Sequence, residues 1–305
     1  MDTSPTLWLG FFAIIVLLLA FDLGLLHKKD SEINVKQSLK LSLGYFIISL
    51  CFGLFVTLHI GQDDGSDFFT GYFIEKSLSL DNIFIIAMVF EHFAIPQRFQ
   101  HRVLFWGILG AVIMRGLLIL GGVELVHLFH PILYLFGAFL LFSGLRMLFM
   151  KESEQKTVEE SKLLILIKRF IPVSDELHGN KFLIKQNRKW IATPLLMTLV
   201  FIELADVIFA VDSVPAVLAV TTDTFIVYTS NIFAVLGLRA LYFALAAVLH
   251  RFEYLKYSLA LVLMFIGSKI FLHPIYPISS PVSLSVTLAL LVGGVVLSLH
   301  KTKHK

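Results

Sequence analysis

Two stretches of the chain set carboxylates among apolar residues. The first reads Glu75-Lys76-Ser77-Leu78-Ser79-Leu80-Asp81-Asn82; the second runs from Glu203 through Asp206 to Asp212-Ser213-Val214-Pro215. The donors they offer are all oxygen: Glu75, Asp81, Asn82, Glu203, Asp206 and Asp212. Such a set suits a hard divalent cation such as Mg, Ca or Mn, whereas zinc or copper would ordinarily recruit Cys or His. Ser77, Ser79, Ser213, Ser230 and Asn231 offer neutral oxygens as support, and Arg115 and Arg239 read as counter-charges to the acids. On a helix, Glu75, Ser79 and Asn82 share one stripe, Ser77 and Asp81 an adjacent one, and Glu203 and Asp206 one face. A blander reading pairs Glu75 with Lys76 or with a neighbouring helix, merely holding a bundle together. Pro215 has no N–H for the carbonyl of Val211, so a helix break there could turn Asp212 inward, although for an isolated proline a kink that serves packing is the better reading.

The elements that carry these residues follow from composition. Of 305 residues 57% are hydrophobic and 15% charged, with mean hydropathy +0.84. A soluble domain carries about 25% charged residues. The apolar residues come in blocks of about 18 to 25, the length that crosses a hydrocarbon core of about 30 Å. A soluble enzyme, a disordered chain and a disulfide scaffold are excluded, the last because Cys51 is alone. The expected fold is an all-α polytopic membrane protein of nine spans: 6–26, 38–59, 68–91, 103–121, 125–148, 193–219, 225–249, 256–272 and 281–299. With five residues before it and no small-residue cleavage site after it, the first span is expected to stay as an anchor.

Lys and Arg set the orientation. The connections 27–37, 92–102, 149–192 and 250–255, with the tail, hold Lys28, Lys29, Lys36, Arg98, Arg102, nine basic residues from Lys151 to Lys189, Arg251, Lys301, Lys303 and Lys305. The opposite connections hold none: the acidic loop Asp63-Asp64-Gly65-Ser66-Asp67, a turn near Gly122, Thr221-Thr222-Asp223, and His273 to Pro281. The N-terminus is therefore expected outside and the C-terminus inside. Residues 1–149 form spans one to five, 150–192 a cytoplasmic loop, 193–299 spans six to nine, and 300–305 a basic tail. The loop opens with the mixed-charge segment 151–162, continues as an amphipathic stretch, and closes as a hairpin around Gln186-Asn187. Asp22 and Lys269 lie near the interfaces, where Lys269 can snorkel. His127, His130 and His273 lie at helix ends, as interfacial residues.

Glu75 and Asp81-Asn82 are spaced as Asp206 and Asp212-Ser213 are, on spans of opposite direction. Spans 1–3 and 4–6 could thus form an inverted repeat meeting at a midplane site. Each buried charge costs at least ~2.5–3.5 kcal/mol at the bilayer centre, so two clusters need a purpose. Together they point to a cation transporter whose release step is linked to proton uptake.

At these residues the chain also resembles the TerC family (tellurium-resistance protein C, with the related Alx proteins). The matching text runs from Phe68-Phe69-Thr70-Gly71-Tyr72 to Asp81-Asn82, then His101-Arg102-Val103-Leu104-Phe105-Trp106-Gly107, Phe170-Ile171-Pro172-Val173, His178-Gly179 and Lys181-Phe182. It continues with Phe209-Ala210-Val211-Asp212-Ser213-Val214-Pro215-Ala216, Thr229-Ser230-Asn231-Ile232-Phe233-Ala234 and Leu236-Gly237-Leu238-Arg239-Ala240-Leu241-Tyr242-Phe243. Leu80 stands where the family more often has Val. The resemblance implies a manganese exporter of the bacterial inner membrane, with the acids of spans three and six as the metal path. It implies Mn2+ as cargo, with Ca2+ left open by the chemistry of the donors, and no permanently bound cofactor. The expected partners are the metal ion and the lipid bilayer and not nucleic acid; whether copies of the chain associate is left open. Two rival readings stand beside it: a non-transporting subunit of a stress-resistance or membrane-assembly complex, and a membrane enzyme. Against the enzyme, the protease motif Gly-x-Gly-Asp is missing, and the one Asp-Asp-x-x-Asp lies at 63–67, in a loop.

Overall fold

The computed structural model describes residues 5–26, 35–129, 131–149, 172–174, 176–186, 189–245, 255–273, 275–276 and 278–302. The segment 151–162 and the apolar stretch after it to residue 171, with His130 and Arg251, lie outside the described residues. The described chain is a helical bundle with one small hairpin. Its elements are α1 (Pro5–Leu26), α2 (Val35–His59), α3 (Gln62–His92), α4 (Gln97–Leu128), α5 (Ile132–Phe149), β1 (Leu183–Gln186), β2 (Lys189–Ala192), α6 (Pro194–Leu218), α7 (Thr224–Leu236), α8 (Leu238–Leu245), α9 (Leu255–Leu272) and α10 (Ser280–Thr302). Among the described residues six helical stretches are long and apolar enough to cross a membrane, the α7–α8 pair counting as one. α3 falls short on charge, not on length: its 31 residues would span about 46 Å.

α3 is the hub, packing against α2, α6, α7 and α10, while α4 packs along α6 and α5 along α9. At one end, rings from four helices fill the core. Phe52 lies 4.7 Å from Phe233 and 5.5 Å from Phe68, ring centre to ring centre, with Trp8 and Phe11 of α1 closing over Phe225 and Tyr228. Such tilted and edge-on pairs contribute about 0.5–1.5 kcal/mol each beyond their buried area. The connections expected on the outside gather at this end: Asp64 is an electrostatic neighbour of Asp223, and Asp67 lies beside Ser280. Near the opposite end the hairpin, with Gln186 facing Lys189, docks on α4 through the Phe182 ring under Arg102, 5.4 Å away. The hairpin read from the alternating pattern is thus present.

Four local expectations are corrected. The turn near Gly122 is absent, because α4 continues to Leu128. A methyl group on Gly122 would sit 2.9 Å from Leu218, so glycine serves close packing against α6 there. The acidic stretch 63–67 is no free loop. It forms the start of α3, where Asp63 and Asp64 complement the positive helix end. Pro215 does not break α6, which runs on to Leu218; so near the C-terminus, one lost backbone bond is tolerated. The interruption falls instead in the seventh span, at Gly237 between α7 and α8. Lys269 is buried rather than extended to an interface.

Candidate acidic site in the bundle

The two acidic stretches meet around one guanidinium. Arg115 of α4 is fully buried, and it donates through Nη1 to Glu75 Oε1 on α3. The same nitrogen donates to Asn231 Oδ1 on α7 at 2.9 Å. From its other edge Arg115 grips Asp206 of α6, with Nε to Oδ2 at 2.9 Å and Nη2 to Oδ1 at 2.6 Å. Asn231 then donates to Glu75 Oε2 at 3.0 Å, and Asn82 donates to Asp206 Oδ1 at 3.4 Å. Four helices therefore converge on a network in which two carboxylates share one cation. The planar fork of Arg suits this work, because it can bind two acids at once. Isolated carboxylates at such depth would be costly, whereas this geometry pairs each with charge and hydrogen bonds.

Beside the network lies a cavity of about 40 Å³, lined by Asn82, Gly107, Glu203, Asp206 and Arg239 with apolar neighbours. That volume holds a few waters or a single ion. Both carboxylate oxygens of Glu203 are buried without a hydrogen-bond partner, as are Asn82 Oδ1, Ser79 Oγ and Ser213 Oγ. Glycines make the room: the backbone of α4 at Gly110 comes so close to the Glu203 carboxylate that any side chain there would collide with it. The cavity wall is mostly apolar, so these few buried acceptors are the polar groups beside it that a cation or water could satisfy.

The expected residues divide accordingly. Glu75, Asn82, Glu203, Asp206, Asn231, Arg115 and Arg239 come together, Arg239 through the cavity wall. Ser79 and Ser213 are buried nearby on the same helices. Ser230 instead bonds back to the Val227 carbonyl at 3.1 Å, and Gly71 of α3 packs against it. Ser77 is half-buried and Pro215 lies in the last turn of α6. Asp81 and Asp212 lie on α3 and α6, but their side chains fall outside the described residues. Lys76 does not pair with Glu75; its Nζ donates to the Ala234 carbonyl at 3.1 Å, where α7 ends. Among the described residues no three His, Cys, Asp or Glu side chains converge as a metal cluster. Between Glu75 and Asp206 stands the Arg115 guanidinium. The residues that sequence reasoning missed are Gly107 and Gly110, which let α4 approach Glu203; their spacing of three is not the four-residue small-residue motif, so no sequence signal marked them.

Comparison with known proteins gives the family. The profile of the integral membrane protein TerC family matches residues 60–305. An uncharacterized membrane protein of Rickettsia bellii is 45% identical, over 95% of this chain and 96% of its own length. The uncharacterized membrane protein STKORF319 of Myxococcus xanthus is 44% identical, over 99% and 94% respectively. A Salmonella typhi protein named "Putative membrane-bound redox modulator Alx" is 40% identical, over 97% of this chain and 94% of its own. No solved structure matches the chain.

Proposed function

The chain belongs to the TerC family of integral membrane proteins, and we propose that within it this chain exports a divalent metal cation, Mn2+, across the bacterial inner membrane. The observation that carries the reading is the buried pair of Glu75 and Asp206 held by Arg115, beside a small cavity containing the unpartnered Glu203 carboxylate. In this reading Arg115 is the resident counter-cation. A metal ion entering the cavity meets Glu203, Asn82 and Asp206 first, and binding proceeds as the guanidinium yields one carboxylate. Asp81 and Asp212, two turns along the same helices, would extend the path. The donors are oxygen throughout, which fits Mn2+ and Ca2+ alike; the choice of Mn2+ rests on the family resemblance.

The frame proposed for this activity is nine spans with the N-terminus outside and the C-terminus inside. Its first six spans form an inverted repeat, and Glu75 and Asp206, equivalent in spacing, bind opposite edges of one guanidinium. An Alx relative bears a name that includes redox modulation. A dithiol relay within this chain would need a second cysteine, and the sequence has one. The test is metal flux in sealed vesicles with Asp206→Asn, which keeps shape and removes charge. Loss of flux at normal membrane levels supports the reading, and wild-type flux removes Asp206 from the path.

A further inference from the structure

A second polar cluster lies apart from the acidic site, in the seam where α3, α9 and α10 meet. Asp67, in the second turn of α3, lies beside Ser280 and within electrostatic reach of Lys269 on α9. Its Oδ1 is buried and accepts no hydrogen bond. Further along α10, Ser283 and Thr287 are fully buried, and neither hydroxyl has a partner. Ser280, Ser283 and Thr287 are spaced three and four apart, so they form one stripe on the face that α10 turns to α3.

Buried hydroxyls in apolar helices ordinarily bond back to a carbonyl four residues earlier. Thr57, Thr70 and Thr198 do so, and even the exposed Ser285 of α10 does, at 2.8 Å from the Pro281 carbonyl. Ser283 and Thr287 depart from that pattern, in the helix seam that also holds the unpartnered carboxylate oxygen of Asp67 and the buried Lys269. Buried water is the usual answer to several such groups in one place, each water meeting two to four of them. The seam closes below on apolar side chains: Ile74 of α3 and Leu291 of α10 are buried in one cluster.

We propose that Asp67, Lys269, Ser283 and Thr287 line a water-filled vestibule between α3, α9 and α10. It opens at the Asp63–Asp64 end and admits small hydrated cations. Its floor, Ile74, precedes Glu75 in the chain. If the transport reading holds, on which this last step rests, the vestibule is the aqueous approach to the acidic site from that end.

The test uses Ag+, a small thiol-reactive cation, on the full-length chain in membranes. Cys51 is the single native cysteine, so Cys51→Ala supplies the background for Ser283→Cys, Thr287→Cys and the control Val292→Cys, whose position faces out of the bundle. Because the reacting species is the hydrated thiolate, the two vestibule positions are expected to react at least about tenfold faster than the control. In parallel, Thr287→Val, which keeps the side-chain volume, is expected to lower the unfolding midpoint, since the water loses a partner. Rates at both positions no faster than the control overturn the proposal. A raised midpoint does so as well, because it marks a dry hydroxyl whose removal is favourable. Labelling reads water and not flux, so its failure leaves the transport reading standing, and a chain that moves no metal can still label.

Discussion

Removing Arg115 is the perturbation that most directly loads the acidic site. Arg115→Gln deletes the cation that, among the described residues, bonds both Glu75 and Asp206, which are 1% and 9% exposed. Four hydrogen bonds go with it: one to Glu75, one to Asn231 and two to Asp206. Breaking a buried pair by removing one partner costs about 3–5 kcal/mol, because the remaining charge must stay unpaired or take up a proton. At about 2–4 °C per kcal/mol for chains of 150–250 residues, the midpoint of thermal unfolding should fall on the order of 10 °C. The assay is thermal unfolding in detergent, followed by Trp fluorescence, with and without Mn2+. Metal should then recover much of the loss, since an ion at 100 times its Kd stabilises by about 2.7 kcal/mol. Wild type should gain less, as its metal must first displace the guanidinium. A midpoint within about 2 °C of wild type would refute the idea that Arg115 neutralises the site. A loss that Mn2+ does not reverse would refute its exchange with metal.

Three further outcomes are expected. Gly144→Ala should destabilise the α5–α9 seam by about 1–3 kcal/mol, since the added methyl would lie 2.8 Å from the Ala260 carbonyl oxygen; Gly293→Ala, with open space around it, is the control for thermal unfolding. Asp223 caps α7, accepting from Phe225 N at 2.9 Å and Ile226 N at 3.0 Å; Asp223→Ala should cost about 0.5–2 kcal/mol in the same measurement, and Asp223→Asn much less. Metal affinity should weaken as pH falls, because ligating carboxylates must lose their protons to bind; titration calorimetry from about pH 8 to pH 5 checks the sign, and affinity flat across that range would remove the carboxylates as ligands.

The site was legible in sequence to the extent that burying charge is expensive. Glu75, Glu203 and Asp206 stand out from apolar neighbours, and Arg115 is the only basic residue inside the fourth span, so its role as counter-charge could be read from type alone. Its simultaneous grip on α3, α6 and α7 could not, because that depends on how three helices cross. Pro215 and Gly122 show the opposite failure. Proline and glycine announce a turn or break only where packing permits one, and here α6 holds Pro215 in its last turn while Gly122 receives Leu218. The real interruption, at Gly237, carries a glycine no different in sequence from the others. What distinguishes it is Lys76, whose Nζ would lie 2.9 Å from a methyl group placed there. The vestibule was equally hidden, since sequence does not tell a hydroxyl that bonds its own helix from one that has no partner.

The central claim is that the acidic site moves a divalent metal. The most direct measurement is Mn2+ entry into sealed liposomes containing the purified full-length chain, read by quenching of a trapped metal-sensitive dye. The account predicts entry that requires the protein, that speeds up when the pH gradient favours proton exchange for metal, and that is lost in Asp206→Asn at equal incorporation. Liposomes carrying folded wild-type protein that stay as tight to Mn2+ and Ca2+ as protein-free ones, under gradients of either direction, would contradict it.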